Sequence, residues 1–154
     1  MSVTLNKLTS ELVQPFLFEE DSKVKTVVGI YTGRFQPMGK HHADVYKAFK
    51  SKFDDFYVTT SNKVEAGKSP LNFKEKKMII KKHGIPASKI VQVKNTYKSE
   101  EVVDKFDEET TAIVFLVGSK DAGRLSGGKC FLDYKNNKDY MTPYGEHGYF
   151  WEIP

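Results

Sequence analysis

The residues best suited to chemistry lie in one short stretch, Gly33-Arg34-Phe35-Gln36-Pro37-Met38-Gly39-Lys40-His41-His42. It follows Val24 to Tyr31, an apolar, β-branched run that reads as a buried strand entering a tight turn. Gly33 lets the backbone turn sharply and leaves room for a ligand. Pro37 stops the strand from continuing and stiffens the connection. A helix then begins near Lys40, so its free N–H groups and the positive end of its dipole face the crevice beyond the strand end. Arg34 and Lys40 add positive charge, and His42, in the first turn, can donate to a phosphate oxygen. Two readings fit these residue types: a phosphate cradle, or a Gly/Pro turn that carries a solvent-facing histidine.

Two superficially similar strings are not phosphate loops of the Walker A kind. Gly33 to Lys40 has one residue too many between the glycines, and His41 stands where Ser or Thr is required. Gly67-Lys68-Ser69 has the right ending, but Asn62 occupies the position of the leading glycine.

The elements that must hold this stretch can be read from periodicity. His41 to Lys52 carries Val45, Ala48 and Phe49 at helical spacing, and Asp55 to Thr60 reads as a second strand. Asn72 and Glu75 have capping-box spacing at the start of a helix, which Gly84 and Pro86 end. Ile90 to Val93 is a short strand, and Ser99 opens a helix through Val102, Val103 and Phe106. Thr111 to Val117 is an unbroken apolar run that closes on Gly118. Strands alternating with helices imply an α/β fold, a Rossmann-like parallel sheet of about five strands with helices on both faces. Ligands in such sheets bind beyond the carboxyl ends of the strands, where strand order switches. Two loops are expected there, Thr32 to Lys40 and Gly118 to Leu125. Residues 1–23 form an N-terminal arm or tail, with Leu5, Leu8, Leu12 and Val13 at rough helical spacing, and 24–154 form the domain.

Composition narrows the classes. The chain has 154 residues, enough for one domain with one core. No run approaches the roughly 20 apolar residues of a membrane helix. The single cysteine, Cys130, cannot form an internal disulfide, and the cytoplasm is the expected compartment. No Cys/His cluster has zinc-ligand spacing. The net charge of +4 is spread along the chain, and Lys74, Lys76, Lys77, Lys81 and Lys82 share one expected helix. A solvated face is the leading reading of those lysines, and nucleic acid is not an expected partner.

The string Gly33 to His42, set between a strand and a helix, resembles the signature Gly-Arg-Phe-Gln-Pro-x-His-x-Gly-His of the HIGH-motif nucleotidyltransferases. Its Arg-Phe-Gln-Pro form is most similar to archaeal-type nicotinamide-nucleotide adenylyltransferases. Pro70 to Lys76 resembles the segment that leads into a helix of that family. Phe115-Leu116-Val117-Gly118-Ser119-Lys120-Asp121 is similar to its strand-end loop for adenine and ribose. The resemblance implies nucleotidyl transfer, a step of NAD biosynthesis when the acceptor is NMN. A phosphate of the acceptor attacks the α-phosphate of ATP or another NTP, usually with Mg²⁺, and pyrophosphate leaves. It also implies roles for His42, Lys40 and Arg34 in catalysis. Gly33, Phe35, Gln36, Gly39, Gly118, Ser119, Asp121 and Arg124 would bind nucleotide. Relatives of this kind are often homo-oligomers.

Two departures from the family pattern bear on activity. The first histidine of the motif aligns with Gly39, and its glycine aligns with His41. Adjacent helical residues are rotated by about 100°, so His41 is expected to point away from His42. The family's Ile-Ser-x-Thr-x-x-Arg motif does not follow Tyr149 to Pro154, and Arg124 is the candidate to take over its grip on the triphosphate. These departures keep a second class open: a nucleotide-binding or assembly protein that retains the fold without efficient turnover. Three further features read as structural. His83 is expected as a charge partner at a helix C-terminus, Asp121 as a turn or cap if not a ribose ligand, and the aromatic tail around His147 as packing or a subunit contact.

Overall fold

The computed structural model describes residues 23–128 and 130–153. The expected N-terminal arm, with Leu5, Leu8, Leu12 and Val13, lies outside them. In chain order the elements are β1 (Thr26–Thr32), α1 (Lys40–Phe49), β2 (Asp55–Thr60), α2 (Phe73–Lys82), β3 (Ile90–Gln92) and α3 (Glu100–Val103). They are followed by β4 (Thr111–Val117), α4 (Ser119–Ser126), β5 (Phe131–Asp133), α5 (Tyr134–Asn137) and β6 (Gly148–Glu152). The strands form one parallel sheet in the order β3-β2-β1-β4-β6-β5.

Alternation along the strands divides the core between the two faces of the sheet. Ala112, Val114 and Leu116 of β4 pack with Tyr31, Tyr46, Phe56 and Ile80 on one face. Ile113, Phe115 and Val117 pack with Val28, Ile30, Val102 and Ala122 on the other. All seven residues of β4 are buried, as its unbroken apolar run demands. Gly29 has a specific reason to lack a side chain. A Cβ there would stand 2.5 Å from the ring of Phe56 and 2.7 Å from that of Phe53, two rings that stack over β1.

β1 and β4 are neighbours, yet the chain leaves β1 towards β2 and leaves β4 towards the opposite edge. That is the switch in strand order, and a crevice opens beyond its carboxyl end. Register keeps the strand ends level: Thr32 pairs with Thr59, and Tyr31 with Leu116.

Several expectations need correction. Gly118 to Leu125 is not a loop: Gly118 is the N-cap of α4, whose Ala122 is buried and whose Leu125 packs against the core. Gly123 disguises this amphipathic turn in the sequence. Ser99 opens α3 as expected, at its N-cap, but the helix ends at Val103 short of Phe106, and the Ser99 side chain does not cap it. Ser99 takes a left-handed conformation (φ 43°), and its buried hydroxyl donates to the Thr96 carbonyl, with the Thr59 hydroxyl 3.2 Å away. The end of the aromatic tail packs, which was one of its expected readings, and does so as a strand: Tyr149 and Phe150 of β6 are buried, and Trp151 stacks on Tyr134 with ring centroids 4.8 Å apart.

Candidate functional site

The β1–α1 connection is held from three sides. The Gly33 N–H donates to the Thr59 carbonyl at 3.3 Å, and the Thr60 hydroxyl donates to the Arg34 carbonyl at 3.1 Å. Phe35 adopts φ 48° and turns its ring inward, edge-on to Tyr31 and His42. Gln36 reaches across to the backbone before α2: its Nε2 donates to the Leu71 carbonyl, and its Oε1 accepts from the Leu71 N–H. His83, at the end of α2, donates from Nε2 to the Met38 carbonyl at 3.0 Å. Its side chain thus ties α2 to the loop, while its backbone N–H donates to the Ile80 carbonyl of its own helix.

His42 is fixed by the turn that precedes it. Its Nδ1 accepts the Gly39 N–H at 3.0 Å, one of the orphan amides at the start of α1. A neutral ring with Nδ1 accepting carries its proton on Nε2, which is therefore a donor. Burial pushes the pKa of His42 below its ordinary value, helped by the nearby His41 and His83. The expectation that His41 points away fails. Its ring centroid lies 3.8 Å from that of His42, and both rings line one cavity. Gly39 makes this possible, because it has no side chain to hold the His41 ring off.

That cavity, of about 500 Å³, lies over the β1–β4 junction and is bordered by Thr32, Gly33, Arg34, Phe35, His41, His42, Gly118, Asp121 and Ile153. A second cavity of about 370 Å³ adjoins it on the β2 side. There Arg34, Lys63, Lys68, Lys76, Lys120 and Arg124 outnumber Glu65 and Asp121. Thr32, Gly33, Arg34 and Asp121 border both. A concave wall with this excess of cations attracts phosphates.

Lys76 is the residue the sequence reading misplaces. It is not on a solvated face: only 1% of it is exposed, and its Nζ donates to the Thr60 hydroxyl at 2.9 Å and the Ser61 carbonyl at 2.7 Å. Burial lowers its pKa, and among the described residues no carboxylate lies within ion-pair distance. An ammonium has three donors, so one is left for the cavity. The signal was available. Asn72 caps α2 with the expected capping box, its side chain accepting from Glu75 N–H at 2.9 Å. That fixes the helical phase and sets Lys76 one turn before the buried Ile80.

Other expected site residues are placed as follows. Arg34 is exposed and borders both cavities, and Gly33 and Gly118 contribute backbone. Asp121 pairs with Arg124 at 3.6 Å. Burial and a hydrogen bond to Asp121 push Tyr97 up to about 12, so the phenol closes this end of the cationic cavity as a neutral group. Lys40 is not brought to the cavities: it is 87% exposed and ion-paired with Asp44 at 2.8 Å. Gln36 and Ser119 line neither cavity, and Phe35, largely buried, forms part of the wall of the first. His147 bonds Thr142 and Tyr149 at the other end of the sheet, where it supports β6.

No protein-family model matches the sequence, and no curated protein is similar to it. Solved structures are similar. One is the Plasmodium falciparum nicotinic acid mononucleotide adenylyltransferase complexed with NaAD, at 15% identity and a TM-score of 0.52, over 84% of this chain and 76% of that one. Another is a bifunctional NMN adenylyltransferase/ADP ribose pyrophosphatase from Francisella tularensis, at 17% identity and a TM-score of 0.51. That match spans 82% of this chain and 37% of that one. At such identities the likeness is one of architecture, and the chain has the Rossmann-like fold of these adenylyltransferases.

Proposed function

We propose that this protein is a nucleotidyltransferase that joins the adenylyl group of ATP to the phosphate of a mononucleotide, with NMN as the first acceptor to test. The observation that carries this reading is the shared wall. Thr32, Gly33, Arg34 and Asp121 border two adjoining cavities, so two phosphorylated ligands would meet at the Gly33–Arg34 turn. The fold supports the same reading, and so does the resemblance of Gly33 to His42 to the nucleotidyltransferase signature.

In this reading the triphosphate occupies the crevice over β1 and β4, and the acceptor phosphate occupies the cationic cavity. An oxygen of the acceptor phosphate attacks the α-phosphorus. The bond from that phosphorus to the bridging oxygen breaks, and its electron pair leaves on pyrophosphate. No proton must move, so the task is alignment and neutralisation of charge. His42 donates from Nε2, Arg34 spans the two ligands, and Lys76 holds the acceptor. Lys76 and Arg34 serve here in place of Lys40, which the Asp44 ion pair draws away. Among the described residues no group of three or more His, Cys, Asp or Glu could cage a metal ion. Mg²⁺ would therefore arrive as part of the substrate, on the triphosphate.

The test is to incubate the protein with Mg²⁺, each NTP and a panel of phosphorylated acceptors, and to measure pyrophosphate. Release that requires both ATP and a mononucleotide, and that is lost in His42→Ala, is expected. Binding of ATP without release for any acceptor would make this a nucleotide-binding protein instead.

A further inference from the structure

The His41 ring lies where the fold has no need of it. It belongs to the first turn of α1, is exposed, and has no hydrogen-bond partner among the described residues. Yet it turns back over the N-cap. A Cβ built on Gly39 would stand 3.1 Å from both Cε1 and Nδ1 of His41, so this ring fills the volume that a side chain at position 39 would take. Its centroid is 3.8 Å from that of His42, with the planes inclined by 39°, and both rings border the cavity of about 500 Å³. His42 spends Nδ1 on the Gly39 N–H, whereas His41 keeps its donor capacity for whatever enters. Two imidazoles this close repel when both are charged, and an anion in the cavity that accepts from both would relieve that.

We propose that His41 is a second phosphate-binding imidazole, a catalytic residue that reaches the ligand through the space left open by glycine at position 39. The proposal rests on the nucleotidyl-transfer reading and deepens it. When the α-phosphorus bond to the bridging oxygen breaks, the electron pair and its negative charge pass to the departing pyrophosphate. His42 and His41, side by side on one wall of the cavity, donate hydrogen bonds to that group. Neither proton is transferred, and charge is conserved between the ligands. The adjacent pair His41-His42 thereby does what a pair three residues apart would do on an undistorted helix start. The glycine is required for it, since any side chain at 39 would compete with the ring for one volume.

Three proteins test this: wild type, His41→Gly, and the double variant Gly39→His/His41→Gly, which moves the imidazole. Gly39 has φ −97°, open to any residue, and His41 is exposed, so the variants should fold, as far-ultraviolet circular dichroism would check. The expected result is a loss of turnover of about 10²-fold in His41→Gly, the scale of one lost transition-state donor. Most of it should return in the double variant. Turnover within about threefold of wild type in His41→Gly would overturn the proposal, as would a double variant no better than the single one. If wild type releases no pyrophosphate, the nucleotidyl-transfer reading fails by itself. Pyrophosphate is then titrated into the protein while the imidazole proton resonances are followed. Saturable movement of both His41 and His42 supports the paired site, and a stationary His41 resonance contradicts it.

Discussion

The surroundings of His42 disfavour its charged form, and that preference has a sign that can be measured. Burial and the neighbouring imidazoles of His41 and His83 hold its folded-state pKa below the ordinary value of 6.5. Between those two values the unfolded chain binds the proton and the folded one does not. The stability contributed is therefore complete above about pH 6.5 and is lost as the pH falls through that window. His42→Gln keeps an acceptor for the Gly39 N–H but cannot titrate. The stability advantage of wild type over this variant is expected to shrink on acidification from about pH 8 to about pH 5, as followed by calorimetry. An advantage that stays constant with pH would contradict the assignment. Lys76 makes a second prediction at this scale. Lys76→Met leaves the Ser61 carbonyl without its donor, at a cost on the order of 1–3 kcal/mol in stability. Affinity for a mononucleotide should fall at least about tenfold, because a charge-assisted contact is worth roughly 1.5–3 kcal/mol, while ATP affinity changes little. Equal losses for both ligands, measured by calorimetric titration, would mean that Lys76 does not distinguish the two cavities.

Among the elements, those with a local chemical signature were legible and those made by tertiary packing were not. The capping box at Asn72 and the apolar run of β4 announce themselves in the chain. β5, β6 and α4 do not. β5 and β6 are short, and the approach to them is broken by glycines, Pro143 and His147, so their strand character comes from the pairing of β6 with β4 and of β5 with β6. The Gln36 clamp on Leu71 was also invisible, because it joins residues 35 apart in sequence. It couples the β1–α1 turn to the start of α2, and so sets the position of Lys76. Gln36→Ala removes the partners of two backbone groups. It should weaken acceptor binding more than ATP binding, and raise hydrogen exchange at Leu71. Unchanged exchange there would argue against the clamp. Gly29→Ala is a purely structural probe. Its methyl group meets the Phe53 and Phe56 rings, and overpacking of this kind costs about 1–3 kcal/mol in thermal stability. A variant as stable as wild type would show that the two rings can yield.

For the whole molecule, the decisive property is the order of the strands. Alternating strands and helices in the sequence imply a parallel sheet, but not which strands become neighbours. The β1–β4 adjacency puts the two cavities on either side of one turn. The turn itself was readable from Gly33 to His42. The two-sided arrangement was not, nor was the return of His41 to the site, since both depend on chain segments that meet only after folding. Their juxtaposition is what makes transfer between two phosphates the function to test. The most direct measurement uses ATP radiolabelled at the α-phosphate, incubated with NMN and Mg²⁺. The label is predicted to appear in a dinucleotide, with one pyrophosphate formed for each. A label that stays in ATP, or appears only in free AMP, would contradict the account.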